Sequence, residues 1–190
     1  MSQNPHGIPT PMLMAQLMRH EGFYATPYLC TARACTIGYG TNLDAHPRYI
    51  PYADIREQAQ SGRLRGASLR NALAARGMVW TKAQASAALE DEVVAVREAL
   101  YQRCPQFRDL AEDGDIVRAE ALVNMAFNIG VAGLLKFRNT LALVDAAHAG
   151  RTGWSAVENA LKQSLWWGQV GRRSRELGEQ FRTGQYVGVY

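Results

Sequence analysis

The spacing of apolar positions changes character several times along the chain. Over residues 11–20 the run Met12-Leu13-Met14-Ala15-Gln16-Leu17-Met18, followed by Arg19, predicts an amphipathic helix from Pro11 to about His20. Proline suits its first turn, where a missing N–H has no intrahelical partner to lose. Residues 23–43 switch to β-type composition, with Tyr24, Tyr28, Thr31, Cys35, Thr36, Ile37, Tyr39 and Thr41 punctuated by Gly38 and Gly40. This predicts a small hairpin or sheet. Thr81 and Gln84 have the spacing of a capping box, and the stripe Val93, Val96, Leu100 continues that helix to Cys104-Pro105. From Asp115 to Gly130 apolar residues face nearly every direction, which predicts a buried central helix. Further helices fit 138–149, 154–166 and 172–182.

Between these elements, residues 44–77 read as a surface insertion with a short helix near 52–60. Pro47 and Pro51 break regular structure, and glycines flank Arg63-Leu64-Arg65. The elements together predict an α+β fold that is mostly helical, in one domain over residues 1–190. An N-terminal arm (1–10) precedes a small β-containing lobe (21–80, with the insertion at 44–77). A larger helical lobe (81–190) packs with helix 11–20. A cleft between two such lobes is a natural place for a polymer substrate.

Composition narrows the function classes. Hydrophobic residues make up 47% and charged residues 20%, which excludes a disordered chain. The net charge of +4 suits an anionic partner, or simply a solubilising surface. Like charges form no block, which argues against nucleic acid as the partner. Three cysteines do not make a disulfide framework, so synthesis in a reducing compartment is expected. The first ten residues lack a basic stretch followed by an apolar core, so no signal peptide is expected. No apolar run is long enough to predict an integral membrane segment. The four histidines are scattered and no Gly-rich phosphate loop is present, so neither a metal nor a cofactor is expected.

Glycoside hydrolysis requires an acid for the leaving oxygen and, on the opposite face of the sugar, a group that places water. Glu21 stands where the first helix gives way to Gly22. Eight residues separate it from Cys30, and five more separate Cys30 from Thr36, with Ile37-Gly38-Tyr39-Gly40 behind. Asn124-Met125-Ala126-Phe127-Asn128-Ile129-Gly130, Phe137-Arg138-Asn139-Thr140 and Trp166-Trp167-Gly168-Gln169 through Phe181-Arg182-Thr183-Gly184 follow in order. In these segments the chain resembles the T-even phage lysozymes, glycoside hydrolase family 24, over roughly residues 11–43 and 78–185. The second catalytic position, commonly Asp in that family, is Cys30 here. Thr41 stands where the family often has His.

The resemblance implies a lysozyme-like fold, with Glu21 as general acid and with Cys30 and Thr36 placing the attacking water. Arg173 orients Glu21, or alternatively pairs with Glu176 at the surface. Gly40, Phe127 and Asn128 contact substrate. Of Trp166 and Trp167 at least one belongs to the core, with Trp166 favoured, and Asn124 serves polar groups there. An unperturbed thiol titrates near about 8.5, and a neighbouring carboxylate would push Cys30 higher. Cys30 and Cys35 are either two free thiols or a disulfide, and Cys104 is structural. The implied activity is a muramidase that acts on bacterial peptidoglycan, with inversion. The alternatives are a lytic transglycosylase and a non-catalytic wall-binding scaffold. The expected protein is a monomer made in the cytoplasm and acting in the periplasm or cell wall. An inhibitor or immunity protein is a further partner if it is a secreted effector.

Overall fold

The computed structural model describes residues 9–189, so the expected arm falls outside them apart from Pro9 and Thr10. Helix α1 (Pro11–Glu21) leads into strands β1 (Tyr24–Leu29), β2 (Cys35–Gly38) and β3 (Thr41–Asn42). A 3-10 turn (Pro47–Tyr49) precedes α2 (Ala53–Gln60), α3 (Gly66–Ala75) and the long α4 (Lys82–Arg103). Then follow α5 (Pro105–Glu112), α6 (Ile116–Ile129), α7 (Val131–Leu134), α8 (Arg138–His148), α9 (Ser155–Lys162), α10 (Leu165–Gln169) and α11 (Arg172–Thr183). The chain is thus mostly helical, with one small antiparallel sheet near its N-terminus, as its apolar periodicity predicts. It divides into two compact units, one spanning Met18–Asp91 and the other holding the residues before and after that span. None of the described helices is long and apolar enough to cross a membrane.

In the 18–91 unit the strands pair in the order β1-β2-β3. Tyr28 faces Thr36 and Leu29 faces Cys35 across the first ladder, while Ile37 faces Thr41 across the second. All four β2 positions are buried. Gly38 has φ +68, and a Cβ there would meet Ala85 Cβ at 2.9 Å and the Trp80 ring at 3.0 Å. Only glycine satisfies both the left-handed backbone and the close approach. The capping box forms as expected: Gln84 N–H donates to Thr81 Oγ1 (3.2 Å) and Thr81 N–H donates to Gln84 Oε1 (2.9 Å).

The stretch 44–77 carries more structure than the one short helix expected. α2 is present, but α3 follows it and packs on β1 and β2. Leu69 and Leu73, one turn apart on α3, are fully buried, as is Ile50. At an aliphatic burial of about 1.5–3 kcal/mol per side chain, this stretch is a principal part of the unit's core.

In the other unit, α6 is buried from Ala119 to Met125 without a break. A polar centre lies inside. The fully buried Glu120 carboxylate accepts from Thr10 N–H (3.0 Å), Thr10 Oγ1 (2.6 Å), Arg97 Nη1 (2.8 Å) and the Tyr186 hydroxyl. Asn124 donates to Gln16 (2.8 Å), which in turn donates to Gln180 (3.0 Å). This is the core polar role expected of Asn124. The helix expected over 154–166 is divided in two. α9 stops at Lys162, and the Ser164 side chain accepts from Trp167 N–H (3.2 Å) as the N-cap of α10.

Candidate active site

Glu21 is the last residue of α1 and is half-buried. Gly22 follows at φ +72 and returns its N–H to the Met18 carbonyl (3.1 Å), ending the helix in a left-handed cap. Gly40, in the turn between β2 and β3, has φ +95, and a Cβ there would lie 3.7 Å from Glu21 Oε2. The acid at the end of α1 therefore stands against the turn of the sheet.

Cys30 opens the tip of the β1–β2 hairpin. Its N–H donates to Ala34 O (3.1 Å), and its carbonyl accepts from Arg33 N–H (2.8 Å). Arg33 has φ +63, the left-handed residue that closes such a tip. Thr36 is buried on β2 and its hydroxyl donates to Ala34 O (3.1 Å). Burial alone would push the Cys30 thiol up. Hydrogen bonds from the Thr36 side chain and from the amides of Ala34 and Ala32 outweigh it, and the thiol lies below its ordinary value. This corrects the expectation that a neighbouring Glu raises it. Short-range donors decide the direction, because they stabilise the thiolate at contact distance.

The two hairpin cysteines are chemically distinct. Cys35 is fully buried, and its thiol is pushed up to about 12 by burial and then by Asp44, with Arg70 opposing. It is registered with Leu29, and all three cysteines are free thiols. Cys104 is buried, as a structural role requires. The Thr36 hydroxyl has one hydrogen, so it serves either the Ala34 carbonyl or the Cys30 sulfur and not both at once.

Tyr28 ties these groups together. Its phenol is pushed up by burial first, then by the charges of Tyr24, Cys30 and Glu21. Both Glu21 and Cys30 are thus within electrostatic reach of one ring. Tyr24 packs on Tyr28 with centroids 4.5 Å apart and is 53% exposed. In the sequence both tyrosines read as strand residues without a site role. The available signal was their four-residue spacing between Glu21 and Cys30.

Four of the predicted residues, Glu21, Cys30, Thr36 and Gly40, belong to the 18–91 unit; Phe127, Asn128 and Arg173 belong to the other. Asn128, exposed near the end of α6, accepts from Trp166 Nε1 (2.9 Å), and the Phe137 ring meets Trp166 edge-on with centroids 6.2 Å apart. Trp166 is a core residue, and Phe127 is half-buried beside Asn128. Arg173, on the first turn of α11, is 6% exposed, and Glu176 one turn on is buried as well, so neither stands at the surface. Phe137, Arg138 and Thr140 line a cavity of about 360 Å³ with Gln163 and Ser164. A larger cavity of about 640 Å³, lined by Asp109, Glu112, Asp113, Asp145 and His148 among others, contains none of the predicted site residues. Among the described residues no group of three or more His, Cys, Asp or Glu side chains could hold a metal ion.

The phage lysozyme family profile matches residues 18–176, from the last turn of α1 into α11. The chain belongs to the phage lysozyme family. A curated relative, "Probable T4-type lysozyme 1" of Dictyostelium discoideum, is 26% identical over 99 residues, which is 52% of this chain and 55% of that protein. The chain thus spans about half the length of that relative. The family match covers every predicted site residue, from Glu21 to Arg173.

Proposed function

We propose that this member of the phage lysozyme family is a muramidase that hydrolyses the β-1,4 bond between N-acetylmuramic acid and N-acetylglucosamine of bacterial peptidoglycan, with inversion. The observation that carries the reading is the Cys30–Thr36 pair. A half-exposed thiol held by a hydroxyl and tip amides shares the neighbourhood of Tyr28 with the carboxyl of Glu21. Glu21 gives its proton to the glycosidic oxygen as the bond to the anomeric carbon breaks. A water held by Thr36 attacks that carbon from the opposite face. Its proton passes to the Cys30 sulfur, which the surrounding donors favour as a thiolate, and is later returned to solvent. Attack from the far side with a water between the two groups is the inverting geometry.

The family resemblance assigns Arg173 a positioning role, and Gly40, Phe127 and Asn128 contacts with the glycan. The net charge of +4 suits an anionic wall polymer. The place of action in this reading is the periplasm or cell wall. Glu21→Gln keeps the shape of the acid and removes its proton. Purified peptidoglycan incubated with the wild type is expected to lose turbidity and yield new reducing ends, and with Glu21→Gln to do neither. Anhydro-muropeptides from the wild type would overturn hydrolysis in favour of transglycosylation. Wall binding without any turbidity loss would overturn catalysis altogether.

A further inference from the structure

Asp44 lies just past β3 and its carboxylate joins two elements. Oδ2 accepts from the N–H of Cys35, the first residue of β2 (2.8 Å), and Oδ1 accepts from the N–H of Gly66, the first residue of α3 (2.8 Å). The Asp44 N–H donates to Asn42 Oδ1 (3.0 Å), which fixes the turn that presents the carboxylate. Gly66 has φ +49, and a Cβ there would sit 2.7 Å from the carbonyl oxygen of Arg33, the left-handed residue of the hairpin tip. The start of α3 is held by Ser68, whose Oγ accepts from Arg65 N–H (3.0 Å) and donates to Arg65 O (2.8 Å). Its body is anchored by the fully buried Leu69 and Leu73. The tip between Cys30 and Cys35 is therefore braced from two directions, by the ladder to β1 and by α3 through Asp44.

We propose that Asp44 is a positioning residue: by joining the Cys35 amide to α3, it holds the hairpin tip in the conformation in which the Thr36 hydroxyl and the tip amides converge on the Cys30 sulfur. A charged acceptor for two backbone donors makes a stiffer joint than neutral side chains provide, and one oxygen lies at a helix N-terminus, where negative charge is favoured. Residues 44–77 then serve as the scaffold of the water-placing side of the site. The kinetic consequence rests on the muramidase reading, whereas the effect on Cys30 does not.

The test measures alkylation of Cys30 by iodoacetamide as a function of pH, with the modified residue located by peptide mass spectrometry. Cys35 and Cys104 are buried and their thiols are pushed up, so they stay silent in the folded protein. Tyr28, whose phenol feels the charges of both Cys30 and Glu21, is unchanged in every variant, as is Glu21. In Asp44→Ala the midpoint of Cys30 reactivity is expected to rise toward the ordinary thiol value of about 8.5. On purified peptidoglycan kcat is expected to fall about tenfold or more, with KM within twofold. Asp44→Asn, which keeps one acceptor oxygen, lies between. Gly66→Ala keeps the carboxylate but presses on the Arg33 carbonyl, and moves both readouts the same way if Asp44→Ala does not fold. A folded Asp44→Ala or Gly66→Ala that melts earlier yet keeps the Cys30 midpoint and kcat would overturn the proposal. Full activity in Glu21→Gln would instead remove the muramidase reading and leave the Cys30 titration as the measure of Asp44.

Discussion

A side chain at Gly40 would begin 3.7 Å from Oε2 of Glu21, at a residue whose φ is +95. A Cβ at that distance stands in ordinary van der Waals contact with the carboxyl, so the turn between β2 and β3 needs glycine there for its left-handed backbone rather than for space. Gly40→Ala imposes a left-handed conformation on an L-residue, which costs about 1–3 kcal/mol. It also narrows the space beside the carboxyl. The expected outcome is a modest loss of thermal stability with a larger loss of activity, on the order of tenfold, and Gly40→Val is worse in both. Thermal melts and turbidity assays on the same preparations check this. An Ala variant with unchanged activity would show that the space beside Glu21 is not used.

Cys30 is the group whose chemistry departs most from the commoner carboxylate. In Cys30→Ser a hydroxyl replaces a thiol that lies below its ordinary value, and it cannot ionise near neutrality. Activity is expected to fall about a hundredfold, the lower end of what a positioned base contributes. Cys30→Asp is expected to retain activity. The sign of the pH effect follows from which form works. As pH rises the thiol loses its proton and the base appears, so wild-type kcat/KM climbs to a midpoint below that of an ordinary thiol. In Cys30→Asp the same rise moves toward the carboxylate range near about 3.9. pH profiles of the two enzymes on one peptidoglycan preparation distinguish them. Identical rising limbs would exclude Cys30 as the titrating base.

The helical body was legible because its signals are local. Thr81 and Gln84 cap α4 and the all-round apolar face of α6 marks a central helix, each readable within one or two turns. The Glu21, Cys30 and Thr36 spacing was legible because the three lie within one short stretch of chain. The role of 44–77 was not, because the Asp44 contacts to Cys35 and Gly66 are tertiary and leave no periodicity. Pro47, Pro51 and the glycines at 62 and 66 suggested loop, and the Leu69–Leu73 stripe is only one turn long. The direction of the Cys30 shift was missed for a related reason. A Glu nearby in the chain is visible in sequence, whereas the action of the Thr36 hydroxyl and the tip amides on one sulfur is set by the tip conformation.

Cys35 makes a prediction about stability at high pH. Its folded thiol is pushed up to about 12, against about 8.5 in an unfolded chain. The neutral form is favoured by folding, so its contribution is complete below about pH 8.5 and is lost as pH rises toward 12. Its share of the slope is at most about 1.4 kcal/mol per pH unit. The melting temperature is therefore expected to fall from about pH 8.5 upward, and to fall less steeply in Cys35→Ala. Cys104, also pushed up by burial, keeps part of the slope in the variant. Tyr186 adds to it only above about pH 10, the ordinary tyrosine value, so melts between pH 8.5 and 10 isolate the cysteines. Equal slopes in wild type and Cys35→Ala would refute the assignment.

Glu120 binds the Arg97 guanidinium at 2.8 Å, with side-chain exposures of 0% and 5% respectively. The same carboxylate takes Thr10 ahead of α1 and Tyr186 beyond α11, so one buried charge ties the two ends of the described chain to the central helix. Removing one partner leaves the other ion buried and unpaired. Glu120→Leu alone, or Arg97→Met alone, is expected to lose about 3–5 kcal/mol. For a protein of this size that is a melting temperature lower by roughly ten degrees. The double variant removes both charges and fills the volume with apolar atoms, so it is expected to be more stable than either single variant. Denaturant unfolding of the three variants gives the coupling energy directly. A double variant as unstable as the sum of the singles would mean that the two side chains act independently and that Glu120 matters only for what it does with Thr10 and Tyr186. In that case Tyr186→Phe, which deletes a single hydroxyl, should reproduce much of the Glu120→Leu loss.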